Sequence, residues 1–284
     1  MTAEVFSDTV CRLGEGPLWH PLREELFWFD ILGKSMFAKP LNGPERRWHF
    51  DEHVSAAGWI DQDSLLMASE TGLYRFDIQS GQRELIVSLE ADNPVTRSND
   101  GRADPWGGFW IGTMGKNAEP GAGAIYRFYR GELRRLVSDV TITNAICFSP
   151  DSPLAYYVDT AKGQVMRQAL EETTGWPLDA AEVFLDLSGQ DFGADGAVTD
   201  EDGNFCVALW GASRVDCYDH AGLLISQVKI PTSQTSCPAF GGLDFKTMFV
   251  TTAGDGVSEL GAGMTYAAPV ANAGRAEPQV ILQE

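Results

Sequence analysis

The feature that most constrains the fold of this chain is a repeat of small residues, each of which opens a short strand-like segment. These residues stand 42 to 51 positions apart and are Gly16, Gly58, Gly101, Ala145, Gly196 and Gly241. Each unit continues through a turn rich in Asp, Gly or Pro, a short apolar run and a third strand-like segment. A period of about 40 to 50 residues that holds several strands is typical of a β-propeller blade. The sequence therefore predicts an all-β chain folded as a six-bladed β-propeller with four-stranded blades.

The N-terminal segment, residues 3–7, has strand-like character and precedes the first repeat. We expect it to complete the last blade, because that pairing would remove an exposed sheet edge and close the ring. A flexible N-terminal tail is the alternative. With closure, residues 1–284 are predicted to form a single propeller domain.

The charge balance restricts what such a propeller can bind. Asp and Glu number 40 against 21 Lys and Arg, which gives a formal net charge of −19. A chain this acidic repels phosphate backbones and anionic lipid surfaces, so we expect no nucleic-acid partner and no membrane partner. A small molecule is the expected partner, and the protein is expected to be a monomer or a weak homo-oligomer.

The sequence contains no recognisable export or membrane signal. Its first residues lack a basic segment followed by an apolar one, and no run approaches the roughly 18 apolar residues of a membrane-spanning helix. The five cysteines form no CxxC pair, which predicts reduced and mostly buried thiols. We therefore predict a cytoplasmic protein.

The repeat also points to a candidate site, because residues at equivalent positions of the innermost strands face each other across the central channel. The residues just before the six small residues are Glu15, Ala57, Asp100, Asn144, Asp195 and Phe240. Four of them carry carboxylate or amide oxygens, and Asn99 adds one more. Such a cluster is costly unless it is paired, protonated or bound to a cation, and oxygen-only ligation suits Ca²⁺, Mg²⁺ or Mn²⁺. The alternative is that these residues cap turns or bond to neighbouring blades.

Five motifs in chain order carry a family resemblance. They occupy residues 13–19, 97–101, 142–144, 194–196 and 240–242, and they read LGEGPLW, RSNDG, ITN, ADG and FGG. With them the chain resembles the senescence-marker-protein, gluconolactonase and regucalcin family over essentially its whole length. The resemblance implies a six-bladed propeller with one divalent metal on its axis and lactonase activity on sugar lactones.

The resemblance also implies roles for individual residues. Glu15, Asn144 and Asp195 would be the metal ligands, while Arg97 and Asn99 would contact the substrate. The cation is left open among Ca²⁺, Zn²⁺, Mn²⁺ and Fe²⁺. One departure bears on specificity: residues 116 and 117 are Lys and Asn, where some relatives place an acid that contacts the substrate.

A mechanism follows from these assignments. A cation with open coordination positions could polarise the lactone carbonyl and stabilise the developing oxyanion. Asp195 is the candidate general base for the attacking water; the alternative is that Asp195 is only a ligand and that a metal-bound hydroxide is the nucleophile. Arg97 could hold sugar hydroxyls or the developing carboxylate by charge-assisted hydrogen bonds, or could instead form a surface salt bridge.

Other classes of chemistry find less support in the sequence. There is no Gly-x-Ser-x-Gly elbow of a serine hydrolase, and the histidines and cysteines lack zinc-ligand spacing. The tryptophans are assigned to core packing, with Trp59 as the one candidate for a pocket wall. Two alternatives to a sugar lactonase stay open: a non-catalytic metal-binding propeller, and a propeller hydrolase of another ester or phosphoester.

Overall fold

The computed structural model describes residues 2–282 and contains 24 strands in six four-stranded antiparallel sheets. The prediction of an all-β, six-bladed propeller is confirmed. Within residues 2–282 there is no helix long and apolar enough to cross a membrane.

The strands follow the chain from blade to blade. The N-terminal strand is β1 (Glu4–Ser7). Blade 1 comprises β2 (Gly14–His20), β3 (Glu25–Asp30), β4 (Ser35–Pro40) and β5 (Arg46–His49). Blade 2 comprises β6 (Val54–Asp61), β7 (Ser64–Ser69), β8 (Gly72–Asp77) and β9 (Arg83–Ser88). Blade 3 comprises β10 (Thr96–Ala103), β11 (Phe109–Gly115), β12 (Gly123–Tyr129) and β13 (Glu132–Val140).

The second half of the chain repeats this order. Blade 4 comprises β14 (Thr143–Phe148), β15 (Leu154–Asp159), β16 (Gln164–Ala169) and β17 (Glu182–Asp186). Blade 5 comprises β18 (Gly193–Thr199), β19 (Phe205–Trp210), β20 (Arg214–Tyr218) and β21 (Leu224–Lys229). Blade 6 comprises β22 (Thr235–Gly241), β23 (Thr247–Thr252) and β24 (Thr265–Pro269), and β1 is its fourth strand.

The N-terminal strand closes the ring. Strand β1 pairs antiparallel with β24, and Glu4 lies opposite Ala267. The prediction that the N-terminal segment completes the last blade is therefore confirmed. This pairing covers an edge of β24 that would otherwise present unpaired backbone groups.

Apolar layers between the blades hold the propeller together. Phe27 and Phe29 of blade 1 pack with Leu65 and Met67 of blade 2, and the other neighbouring blades form similar buried clusters. The first strand of every blade lies innermost and contacts the first strands of its neighbours around the axis. The side chains near the axis are therefore held by six mutually packed sheets.

Each inner strand that carries a predicted site residue is irregular just beyond that residue. The pairing register shifts between Glu15 and Leu18, between Asn144 and Cys147, and at the corresponding places in β10 and β18. Such bulges re-aim side chains and often lie next to functional sites. Gly16 has a φ of 54°, and a Cβ there would lie 2.2 Å from the carbonyl oxygen of Ser55, so the first bulge requires glycine.

Cys206 and Cys217 contradict the expectation of reduced thiols. They lie directly opposite each other in β19 and β20 and form a disulfide. The hairpin register brings together two residues 11 positions apart, a spacing that carries no signal by itself. Cys11, Cys147 and Cys237 are free and buried, as expected.

Candidate functional site

A cavity of about 240 Å³ lies on the propeller axis and brings together all five predicted site residues. These are Glu15 from β2, Arg97 and Asn99 from β10, Asn144 from β14 and Asp195 from β18. They come from blades 1, 3, 4 and 5, near the starts of the inner strands. The circular fold therefore gathers polar groups that are 45 or more residues apart between blades.

Two carboxylates share the floor of this cavity. Burial and the nearby Asp100 carboxylate raise the pKa of Glu15 to about 8, although a hydrogen bond from Gly16, the Arg97 charge and a hydrogen bond with Asp195 oppose the shift. Burial and the carboxylates of Glu15 and Asp100 raise the pKa of Asp195 well above its usual value. The shared cause is that negative charges removed from water repel each other. This end of the axis therefore favours the uptake of a proton or a cation.

Arg97 is the cation of the cavity. Its side chain is buried, with 5% of the residue exposed, so the alternative of a surface salt bridge is wrong. Nη1 donates hydrogen bonds to Asn99 Oδ1 at 2.7 Å and to the Ser98 carbonyl at 2.8 Å, whereas the buried Nε has no partner among the described residues. Burial lowers the pKa of Arg97 to about 10. A buried donor without a partner is a group that a ligand can satisfy.

A chain of hydrogen bonds sets the orientation of both amides. Asn99 Nδ2 donates to the Thr143 carbonyl at 2.9 Å and to Asn144 Oδ1 at 3.0 Å. Asn144 Nδ2 donates to Thr160 Oγ1 at 2.9 Å, and this hydroxyl donates to the Ala194 carbonyl at 2.7 Å. Because Asn144 accepts through Oδ1 and donates through Nδ2, the orientation of its amide is fixed. One lone pair of Oδ1 is left for a ligand.

Sequence reasoning missed the apolar wall of the cavity. Besides the five predicted residues, the lining comprises Leu13, Met114, Ile142, Thr160 and Trp210. Leu13 and Ile142 each precede a predicted ligand by two positions, directly before β2 and β14, so this shared repeat offset could have found them. Trp210 comes from a second strand and follows no repeat signal.

Trp59, the sequence candidate for a pocket wall, is not part of this cavity. Its Nε1 donates to the carbonyl of Glu277 at 2.7 Å, near the C-terminus of the chain. Lys116 and Asn117, where the sequence departs from some relatives, do not line the cavity either, and both side chains have partners elsewhere. Lys116 forms an ion pair with Glu70, and Asn117 Nδ2 donates to Glu119 Oε1 at 3.0 Å.

The donors on the cavity floor fit a hard divalent cation. They are oxygens only, two from buried carboxylates that repel each other and others from amides, which is the donor chemistry of Ca²⁺ and similar ions. Within residues 2–282, no group of three or more His, Cys, Asp or Glu side chains is arranged as a metal site. Glu15 and Asp195 would therefore need an amide oxygen to complete a protein ligand set.

The fold and the cavity together define a propeller with a buried, polar cavity lined by acids and amides on its axis. Residues 13–254 match the family model described as the SMP-30/Gluconolactonase/LRE-like region. The chain belongs to this family. The predicted resemblance is confirmed, and at the level of family so is the prediction of a gluconolactonase-like enzyme.

Relatives cover the chain almost end to end. A Rhizobium meliloti protein named for sugar lactone lactonase activity is 37% identical over 98% of this chain and 96% of its own. The L-arabinolactonase of Azospirillum brasilense is 33% identical over 90% of this chain and 86% of its own. The crystal structure of a calcium-binding protein, regucalcin from Agrobacterium tumefaciens, superposes with a TM-score of 0.97 at 38% identity and covers 99% of both chains.

Proposed function

We propose that this protein hydrolyses a sugar lactone to the aldonic acid in the axial cavity. The observation that carries the proposal is the convergence of two buried carboxylates, two oriented amides and one buried arginine in a space of about 240 Å³. The names of its relatives, which include a sugar lactone lactonase and an L-arabinolactonase, support the same reaction.

A divalent cation is part of this proposal. Glu15, Asn144 and Asp195 would hold it, because they supply oxygen donors from three different blades in one cavity. When bound, the cation would polarise the lactone carbonyl and stabilise negative charge on its oxygen. Calcium is the first candidate, since a 38% identical relative is described as calcium-binding; Zn²⁺, Mn²⁺ and Fe²⁺ are the alternatives to test.

Asp195 is the proposed general base. In the hydrolysis, a water oxygen bonds to the carbonyl carbon, the bond from that carbon to the ring oxygen breaks, and the ring oxygen becomes a hydroxyl. Asp195 would accept the proton of the water and return it to the departing ring oxygen. Asp195 lines the cavity that would hold the lactone, and a carboxylate positioned beside the attacking water can take its proton.

Arg97 and Asn99 are proposed to bind the substrate. The unpaired Nε of Arg97 can donate to a sugar hydroxyl or to the carboxylate that forms on ring opening. Because Asn99 Oδ1 accepts from Arg97, the two side chains are held as one unit. The apolar side chains of Leu13, Met114 and Ile142 would cover the less polar face of the lactone and exclude water.

The proposal is tested by following acid release from a panel of aldonolactones. The protein is first treated with a chelator and then given Ca²⁺, Zn²⁺, Mn²⁺ or Fe²⁺ singly. We expect no enzymatic hydrolysis without metal and recovery with at least one of these ions. If none of the sugar lactones were hydrolysed with any of these ions, the proposed function would be contradicted. Metal binding without turnover would instead favour a non-catalytic metal-binding propeller.

A further inference from the structure

The C-terminal strap, residues 271–282, crosses the end of the channel opposite the cavity. Gly274 N donates to the Phe245 carbonyl at 2.8 Å, Val280 N to the Trp59 carbonyl at 2.8 Å and Ile281 N to the Gly107 carbonyl at 2.9 Å. The strap is therefore bonded to blades 6, 2 and 3. A Cβ on Gly58 would lie 2.6 Å from Cγ2 of Val280, so blade 2 makes room for the strap.

The strap places one carboxylate, that of Glu277, on a buried arginine of blade 3. Arg102 forms an ion pair with Glu277, and each side chain is only 8% exposed. The remaining donors of Arg102 reach the inner strands of two further blades: Nε donates to the Ile146 carbonyl at 3.2 Å and Nη2 to the Ala197 carbonyl at 3.0 Å. One guanidinium thus ties the strap to β10, β14 and β18.

These carbonyls lie next to the proposed ligands. Ile146 follows Asn144 by two residues, and Ala197 follows Asp195 by two residues. Ile146 lies within the irregular stretch of β14, and Ala197 is the residue at which the pairing of β18 with β19 resumes after its irregular stretch. A strand that loses ladder bonds at a bulge needs other partners to hold its backbone. Arg102 supplies such a partner to β14 and to β18.

We propose that Glu277 is a positioning residue for the axial site: by pairing with Arg102, it holds the bulged backbones that aim Asn144 and Asp195. The proposal rests on the proposed cation site and adds the C-terminal strap to it. Without the Glu277 charge, Arg102 would be a buried cation whose remaining acidic neighbour is Asp100. Movement toward Asp100 would draw the guanidinium away from the two carbonyls and loosen both ligand strands.

A matched control lies on the same strap. Gln279 Nε2 donates to the Ile60 carbonyl on β6, and the inner strand of blade 2 has Ala57 at the position equivalent to the ligands. Q279A therefore removes a strap contact without touching a ligand-bearing strand. E277Q keeps the size of the side chain and removes its charge.

The experiment measures Ca²⁺ affinity of the full-length protein by calorimetry, together with hydrogen exchange of β14 and β18. We expect E277Q to weaken Ca²⁺ binding by about tenfold and to speed exchange in both strands. Q279A should stay within about twofold of the unmodified protein. Equal affinity and exchange for E277Q and the unmodified protein would overturn the proposal, and so would an equal loss in Q279A.

A second variant separates positioning from general stability. In R102M/E277M an apolar pair replaces the buried charges, a change that often restores stability. The double variant cannot bond to the Ile146 and Ala197 carbonyls, so its Ca²⁺ affinity should stay low even where its stability recovers. Recovery of affinity together with stability would refute the positioning role. The readouts do not use a lactone, so Ca²⁺ binding without lactone turnover would contradict only the proposed function. Absence of Ca²⁺ binding by the unmodified protein would overturn this inference.

Discussion

Buried charged groups lack partners at one end of the propeller axis and are paired at the other. At the cavity end, the carboxylates of Glu15 and Asp195 face each other, their pKa values are raised, and Arg97 keeps an unpaired Nε. At the strap end, burial alone would lower the pKa of Arg102, but the acidic groups around it, with Glu277 the strongest of them, together outweigh burial and raise it. The space left there is about 10 Å³, against about 240 Å³ at the cavity.

This difference separates the proposed binding site from a paired, structural centre on the same axis. Buried charges that are fully paired stabilise one arrangement of the backbone, whereas buried charges that lack partners attract a ligand. Arg97 and Arg102 are five residues apart on one strand, yet only Arg102 has acceptors for all three of its nitrogens. The predictions below test whether the two ends differ in function as they differ in pairing.

The largest effect is expected from Asp195→Asn at the cavity end. Loss of the carboxylate removes both the proposed base and one ligand, so we expect lactone turnover to fall by about a thousandfold or more. Ca²⁺ binding, measured by calorimetry, should weaken in parallel. The matched control is Asp200→Asn on the same blade, because Asp200 is also buried but bonds to Asn204 and Asn272 outside the cavity. Near-normal turnover by Asp195→Asn would mean that the axial site is wrongly assigned.

The second largest effect is expected on the stability of the protein, from the substitution of Arg102 at the strap end. Arg102→Met leaves Glu277 as a buried carboxylate without its cation, which we expect to lower the free energy of unfolding by about 3 to 5 kcal/mol. Urea unfolding monitored by tryptophan fluorescence measures this change. A loss below about 1 kcal/mol would show that the pair at this end is not structural.

A smaller effect is expected from Arg97→Ala. If Arg97 binds the sugar, the KM for the lactone should rise by about tenfold or more, corresponding to one charge-assisted hydrogen bond, while kcat changes less. Steady-state kinetics with the best lactone of the panel gives both constants. An unchanged KM would remove Arg97 from the substrate site.

The smallest effect concerns His20, which packs on Trp59 beside the strap with its ring centroid 5.8 Å away. Burial lowers the pKa of His20, although its hydrogen bond to the Asp61 carbonyl opposes the shift. The unfolded chain therefore binds a proton more readily, and stability should decline as the pH falls below the ordinary value of 6.5. The slope contributed by His20 is at most about 1.4 kcal/mol per pH unit.

Urea unfolding between pH 5 and pH 7 measures this slope. We expect His20→Gln to flatten it and His220→Gln, on the exposed surface of blade 5, to leave it unchanged. Equal slopes for the unmodified protein and His20→Gln would show that this ring does not govern acid sensitivity.

The fold and the positions of three site residues were predictable because both follow from the repeat, whereas Arg97 was implied by the family resemblance. Blade number, closure by residues 3–7 and the positions of Glu15, Asn144 and Asp195 depend on a period that recurs along the chain. The circular arrangement of like units then puts equivalent positions on one axis. Whether these residues bind a cation and turn over a lactone stays a prediction.

The remaining features depended on contacts that no period encodes. Trp210 enters the cavity wall from a second strand, and Cys206 meets Cys217 through the register of one hairpin. Glu277 reaches Arg102 across 175 residues of sequence, and only because the strap returns over the closed ring. The sequence by itself determined the repeating unit and the residues on its axis, since both are local and periodic. Which axial charges are paired was decided by the tertiary structure alone, because pairing requires the closed ring and the strap to be in place.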